Sequence, residues 1–122
     1  MGKKILFVDD SASMRQVMKL AMEAKSFEVT TAVDGVDGTK QLESGRFDVI
    51  ISDLNMPNLN GIEFLKNAKK STKNKFTPVI MLTTESADDM KQKGQAAGAK
   101  VWVVKPFRPE QLLSIIQKLI GG

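Results

Sequence analysis

Apolar residues gather into five short runs separated by longer, mostly polar stretches. Ile5-Leu6-Phe7-Val8 is apolar without interruption, as is Val79-Ile80-Met81-Leu82, and Val49-Ile50-Ile51 forms the heart of a third run from Phe47 to Ser52. Continuous runs of this length suit strands buried on both faces. The stretch from Phe27 to Ala32 alternates instead, which predicts a half-exposed edge strand. A fifth strand spans Lys100 to Val104, where an exposed-looking Trp102 marks the other edge.

The intervening stretches carry helical periods. Ser13 and Gln16 have capping-box spacing, and Met14, Val17, Met18, Ala21 and Met22 fall on one helical face. Asp34-Gly35 turns into a helix from about Val36 to Glu43, with Gly45 as the C′ residue. Asn58-Leu59-Asn60-Gly61 is a turn cluster before a third helix that starts at Ile62. A polar loop over residues 71–75 follows it. Ser86 and Asp89 open a weakly apolar fourth helix with Ala87, Met90, Gly94 and Ala97 inward. Gly94 there costs up to about 1 kcal/mol relative to alanine, and Gly98 ends the helix. Pro109 opens the last helix at a position that tolerates proline. Its apolar arc (Leu112, Leu113, Ile115, Ile116, Leu119, Ile120) is wider than one sheet face requires.

Five strands alternating with five helices predict βαβ units, an α/β fold with a parallel sheet and helices on both faces. Placing the wholly apolar strands centrally gives the order 2-1-3-4-5, that of the flavodoxin-like (βα)5 fold. Ligands of such sheets bind outside the carboxyl ends of the strands, at the switch point between strands one and three. With 122 residues, the expectation is a single domain over the whole chain.

Composition narrows the chemistry. There are no histidines and no cysteines, so imidazole catalysis, thiolate zinc sites and disulfides are excluded. Any metal must be held by oxygen, which points to magnesium, calcium or manganese. The net charge of +4 is mildly basic. Its densest lysine group, at positions 66, 69, 70, 73 and 75, reads as a solvated helix face and loop. No nucleic-acid-binding signature accompanies it. No apolar run approaches a membrane span, and the short run after Met1-Gly2-Lys3-Lys4 is no signal peptide. Neither nucleic acid nor membrane is therefore expected as a partner, and a cytoplasmic location is.

Reactive side chains stand at four strand ends. Asp9 and Asp10 close the first strand, Asp53 the third, Thr83 the fourth and Lys105 the fifth. Taken singly, each has a plain explanation. The acid pair complements a helix dipole, Asp53 suits an Asx turn, Thr83 caps, and Lys105 sits on the surface. Independent residues, however, have no reason to converge on one crevice. Clustered carboxylates disfavour one another's ionisation unless positive charge intervenes. Lys105 supplies one charge, and Mg²⁺, held by a few carboxylates with waters retained, supplies two. An aspartate beside such an ion is a candidate covalent nucleophile for a phosphoryl group. In-line positioning and charge neutralisation on the phosphoryl oxygens are then the requirements, met by Mg²⁺, Lys105 and the Thr83 hydroxyl. Acids in the first loop and the lack of glycine-rich phosphate motifs argue against a nucleotide cofactor.

These residues (Asp9-Asp10, Asp53 within Asp53-Leu54-Asn55-Met56-Pro57, Thr83, and Lys105-Pro106-Phe107) resemble the receiver domains of two-component response regulators, particularly single-domain CheY-type chemotaxis regulators. The resemblance covers essentially the whole chain. It implies that Asp53 accepts a phosphoryl group from a sensor histidine kinase, with no turnover enzyme involved. It further implies Mg²⁺ ligation by Asp10, Asp53 and the Asn55 backbone carbonyl, with Asp9 acting largely through water. Lys105 and Thr83 would bind phosphoryl oxygens, the Lys105-Pro106 bond would be cis, and Thr83 and Trp102 would switch together. Output would pass through the surface of the fourth helix, fifth strand and last helix to the flagellar motor switch or a phosphatase. The chain's own end at Gly121-Gly122 suggests no effector domain. A monomer is expected, with a transient dimer through that surface as the alternative. Two alternatives stay open: a receiver-like binding module that is never phosphorylated, and a Mg²⁺-dependent phosphatase.

Overall fold

The three apolar runs become the middle of a sheet because only a position covered on both faces removes every side chain from water. In the computed structural model, which describes residues 2–54, 56, 59–83 and 98–121, β1 (Lys4–Val8), β3 (Val49–Asp53) and β4 (Val79–Thr83) are buried almost throughout. β2 (Glu28–Ala32) and β5 (Val101–Val104) are only partly buried and form the edges. All neighbouring pairs are parallel, in the order β2-β1-β3-β4-β5. Four helices accompany the sheet among the described residues: α1 (Ala12–Glu23), α2 (Gly35–Leu42), α3 (Gly61–Lys70) and α4 (Pro109–Ile120). The helix expected from Ser86 lies outside the described residues. Gly98, the residue expected to end it, has φ +106°, a backbone that favours glycine.

Strand alternation sends side chains to two cores. Leu6, Val8, Ile50, Val79 and Met81 join Phe64, Leu65 and Ala68 of α3 and Leu42 of α2 on one face. Ile5, Phe7, Val49, Ile51, Ile80 and Leu82 meet Met18 and Met22 of α1 and Leu112, Leu113 and Ile116 of α4 on the other. Each fully buried Leu, Ile, Val or Phe stabilises the fold by about 1.5–3 kcal/mol before entropy is counted.

Several local expectations need correction. Ser11, not Ser13, caps α1; its Oγ accepts the Met14 N–H at 3.2 Å. Met14, Met18 and Met22 form the inward row, whereas Val17 is 51% exposed, because one sheet face contacts a narrower stripe than the sequence pattern offers. α2 ends at Leu42 with Glu43 as C-cap, so Gly45 is not its C′ residue. The arc on α4 is not surplus: Ile115, Leu119 and Ile120 pack against the same core as its buried residues. Trp102 is partly buried rather than exposed and packs against the α3-side core. Its indole N–H is buried without a partner among the described residues.

The polar loop before β4 is also more structured than its composition suggests. Asn74 is wholly buried. It accepts the Phe47 N–H at 2.8 Å and donates to the Leu42 and Gly45 carbonyls at 2.9 Å. Thr77 adds a bond to the Phe47 carbonyl. One side chain thus ties the end of α2, the approach to β3 and the approach to β4. It satisfies backbone groups that would otherwise be buried unpaired.

Candidate functional site

Parallel strands all point their carboxyl ends to one edge, and β1, β3 and β4 are adjacent, so their terminal residues must meet there. Asp9, Asp10 and Asp53 each offer a carboxylate oxygen, and these lie within 4.8 Å of one another. Asp9 and Asp53 are buried and Asp10 is exposed. Lys105, just beyond β5, reaches across. Its Nζ lies 3.2 Å from Asp53 Oδ1 and 3.6 Å from Asp9 Oδ2. Thr83, the last residue of β4, is completely buried, and its carbonyl accepts the Lys105 N–H at 2.6 Å. The Lys105-Pro106 peptide is cis. Asn55 lies outside the described residues.

Backbone contacts hold these groups in place. Asp9 Oδ1 accepts the Ser11 N–H at 2.9 Å, an Asx turn that starts α1. The Asp9 carbonyl accepts from Arg15 Nη1 at 2.7 Å. Behind Asp53, Gly61 donates its N–H to the Leu54 carbonyl at 2.8 Å. A Cβ at Gly61 would stand inside contact distance of the Asp53 carbonyl oxygen, so the first residue of α3 has to be glycine for the strand end to sit where it does. Sequence reading placed Gly61 in a turn cluster and left out Arg15. A glycine opening an amphipathic helix was the only available signal for the first. Nothing local marks the second.

The electrostatics follow from crowding. Burial, first of all, pushes the Asp53 carboxyl above its ordinary value. The Lys105 ammonium opposes the shift by charge and hydrogen bonding, while Asp9 and Asp10 add to it. Three carboxylates against one ammonium leave two negative charges in a partly desolvated crevice, the amount a divalent cation cancels. Asp9 Oδ2 is buried with no hydrogen-bond partner among the described residues. A buried, unsatisfied carboxylate oxygen is costly by itself, and it fits the all-oxygen coordination of a hard cation. Beside Lys105 a cleft of about 310 Å³ is lined by Met14, Pro106 and Phe107.

An acid-lined switch-point crevice with an ammonium above it, on a 2-1-3-4-5 sheet, is the arrangement of a phosphoryl-accepting signalling domain. Residues 5–117 match the model of the response regulator receiver domain, and the chain belongs to that family. It is 37% identical over 117 residues to the chemotaxis protein CheY of Pseudomonas aeruginosa, covering 95% of this chain and 94% of that protein. The structure is similar to chemotaxis protein CheY4 of Vibrio cholerae, with a TM-score of 0.93 and 46% identity over 98% of this chain and 99% of that one. It is also similar to the receiver domain of a Pseudomonas aeruginosa sensor histidine kinase, solved with a magnesium ion coordinated in the active site cleft (TM-score 0.90, 26% identity, 100% of both chains). The chain is thus a phosphorylation-dependent response regulator of the CheY type, a signalling switch. Receiver domains bind Mg²⁺ at their acidic site, and those of the CheY type interact with histidine kinases and downstream targets. No described helix is long and apolar enough to cross a membrane.

Proposed function

We propose that Asp53 is the phosphoacceptor of a chemotaxis response regulator. The observation that carries this reading is the placement of Lys105 Nζ 3.2 Å from Asp53 Oδ1 within a three-acid cluster. A carboxylate oxygen of Asp53 attacks the phosphorus of a kinase phosphohistidine, and the phosphorus–nitrogen bond breaks as the acyl phosphate forms. Asp10, Asp53 and the Asn55 carbonyl would hold Mg²⁺, with Asp9 acting largely through water. When bound, the ion neutralises charge on the transferring group. Lys105 neutralises a second oxygen, and the Thr83 hydroxyl donates to a third. Neither alternative has comparable support: every acid and the lysine are present, which disfavours a binding-only module, and among the described residues no acid beyond the Asp9-Asp10-Asp53 cluster is positioned to protonate a leaving group, as a phosphatase needs.

Trp102 is the moving aromatic of the switch. Among the described residues its indole N–H has no partner, so none of them supplies the hydrogen bond that would lock its inner position. The altered surface around β5 and α4 is then read by a target, a flagellar motor switch component or a phosphatase. The whole chain acts as one monomeric, cytoplasmic receiver domain and turns over no substrate of its own.

Incubation with acetyl phosphate and Mg²⁺, followed by intact mass, tests the reading. Wild type gains about 80 daltons, the mass of one phosphoryl group, and Asp53→Asn gains none. An unmodified wild type at saturating donor and metal, or a modified Asp53→Asn, refutes it.

A further inference from the structure

The sheet that gathers acids at its carboxyl edge gathers lysines near the other. Sequence alone leaves Lys66, Lys69, Lys70, Lys73 and Lys75 as a solvated face, but the structure adds three observations. The loop that follows α3 is anchored, since Asn74 is wholly buried and bonded to three backbone groups from the end of α2 and the loop after it. Two residues beyond this anchor, Phe76 is 87% exposed, with Lys75 Nζ 5.2 Å from its ring centroid. None of the five lysines forms an ion pair among the described residues. The ammonium groups of Lys69 and Lys73 donate instead to the Thr77 and Glu43 carbonyls, so no described carboxylate neutralises this pole at ion-pair distance.

We propose that the loop bearing Lys73, Lys75 and Phe76, with Lys70 beside it, docks an acidic protein segment that carries aromatic side chains. Charge complementarity selects the acidic partner and steers its approach. A protruding ring on an anchored loop serves as an anchor for a partner's apolar or aromatic group, because little conformational freedom is lost when it docks. Duplex DNA is a poorer fit: base reading relies on arginine and amide side chains in a groove, and no arginine lies in this segment. A bilayer is also a poorer fit, because interfacial binding scales with buried apolar area and this loop offers one exposed ring. The loop lies at the sheet edge opposite Asp53, so docking leaves the phosphoacceptor open.

The probe is a fluorescent random copolymer of glutamate and tyrosine, compared with polyglutamate by fluorescence anisotropy on the full chain. Wild type binds the copolymer about tenfold more tightly than polyglutamate, and both affinities fall as salt rises. Phe76→Ser removes the preference, and the triple variant K70E/K73E/K75E removes binding to both polymers. These side chains are exposed, so the variants keep the wild-type melting curve and the wild-type rate of phosphorylation by acetyl phosphate. The proposal is overturned if wild type fails to bind or treats the two polymers alike, or if Phe76→Ser leaves the preference intact. It is equally overturned if phosphatidylglycerol vesicles or duplex DNA bind more tightly than the copolymer.

Discussion

Replacing Gly61 with alanine adds one methyl group at the back of the site. The new Cβ would stand 2.7 Å from Leu54 Cα and 3.0 Å from Met81 Sδ, whereas ordinary contact begins near 3.4 Å. Met81 can swing its sulfur away. The Asp53-Leu54 backbone cannot, because Leu54 N–H is bonded to the Leu82 carbonyl and the Leu54 carbonyl to Gly61 N–H. The strand end must therefore move by at least roughly 0.7 Å, because the Asp53 carbonyl oxygen is closer still, an overpacking that costs about 1–3 kcal/mol. Alanine's better helix propensity returns up to about 1 kcal/mol. The expected net loss is about 1–2 kcal/mol in a urea melt, which lowers Tm by roughly 4–8 °C for a domain of this size. The functional effect should be larger, since a displacement approaching 1 Å costs on the order of a hundredfold in rate. Acetyl phosphate labelling followed by intact mass reads that loss. Gly45→Ala is the control, because a Cβ there meets nothing within 4 Å. If Gly61→Ala matched wild type in both stability and labelling rate, the claim that this glycine positions Asp53 would fail.

Other expectations follow from the same structure. Asn74→Ala leaves the Phe47 N–H and two carbonyls without partners, and should destabilise the protein by about 3–4 kcal/mol; a loss below 1 kcal/mol would show that water replaces the side chain. The Asp53 carboxyl is raised from its reference of 3.8, so in metal-free protein the folded state holds this proton more tightly than the unfolded one. Its contribution to stability is then greatest below pH 3.8 and declines as pH rises through the raised folded value. Asp53→Asn should remove that decline, which the difference between the two stability–pH curves measures; identical slopes would contradict the shift. Magnesium should raise the Tm of wild type and not of Asp53→Asn, because binding to the native state stabilises by linkage. Trp102 is the only tryptophan, so its emission should change on phosphorylation; an unchanged spectrum in fully modified protein would exclude it as the moving part.

Much of the architecture was legible along the chain. Unbroken apolar runs at Ile5-Leu6-Phe7-Val8 and Val79-Ile80-Met81-Leu82 could be satisfied only at the centre of a sheet, and the alternation in β2 only at an edge. Strand order followed, and with it the convergence of Asp9, Asp10, Asp53 and Lys105, because parallel strands deliver their terminal residues to one side. What the tertiary structure alone decided depends on contacts between residues distant in sequence. The cap of α1 fell to Ser11 because the Asx turn at Asp9 starts the helix early. Val17 faces water because one sheet face covers a narrower stripe than the periodicity offers. Asn74, polar and in a polar loop, is buried because three backbone groups from the end of α2 and the loop after it need its amide. Gly61 must lack a side chain because the Asp53 carbonyl occupies the space. Local pattern records how much apolar surface an element must hide; which backbone group arrives opposite a given side chain is set only when the chain closes on itself.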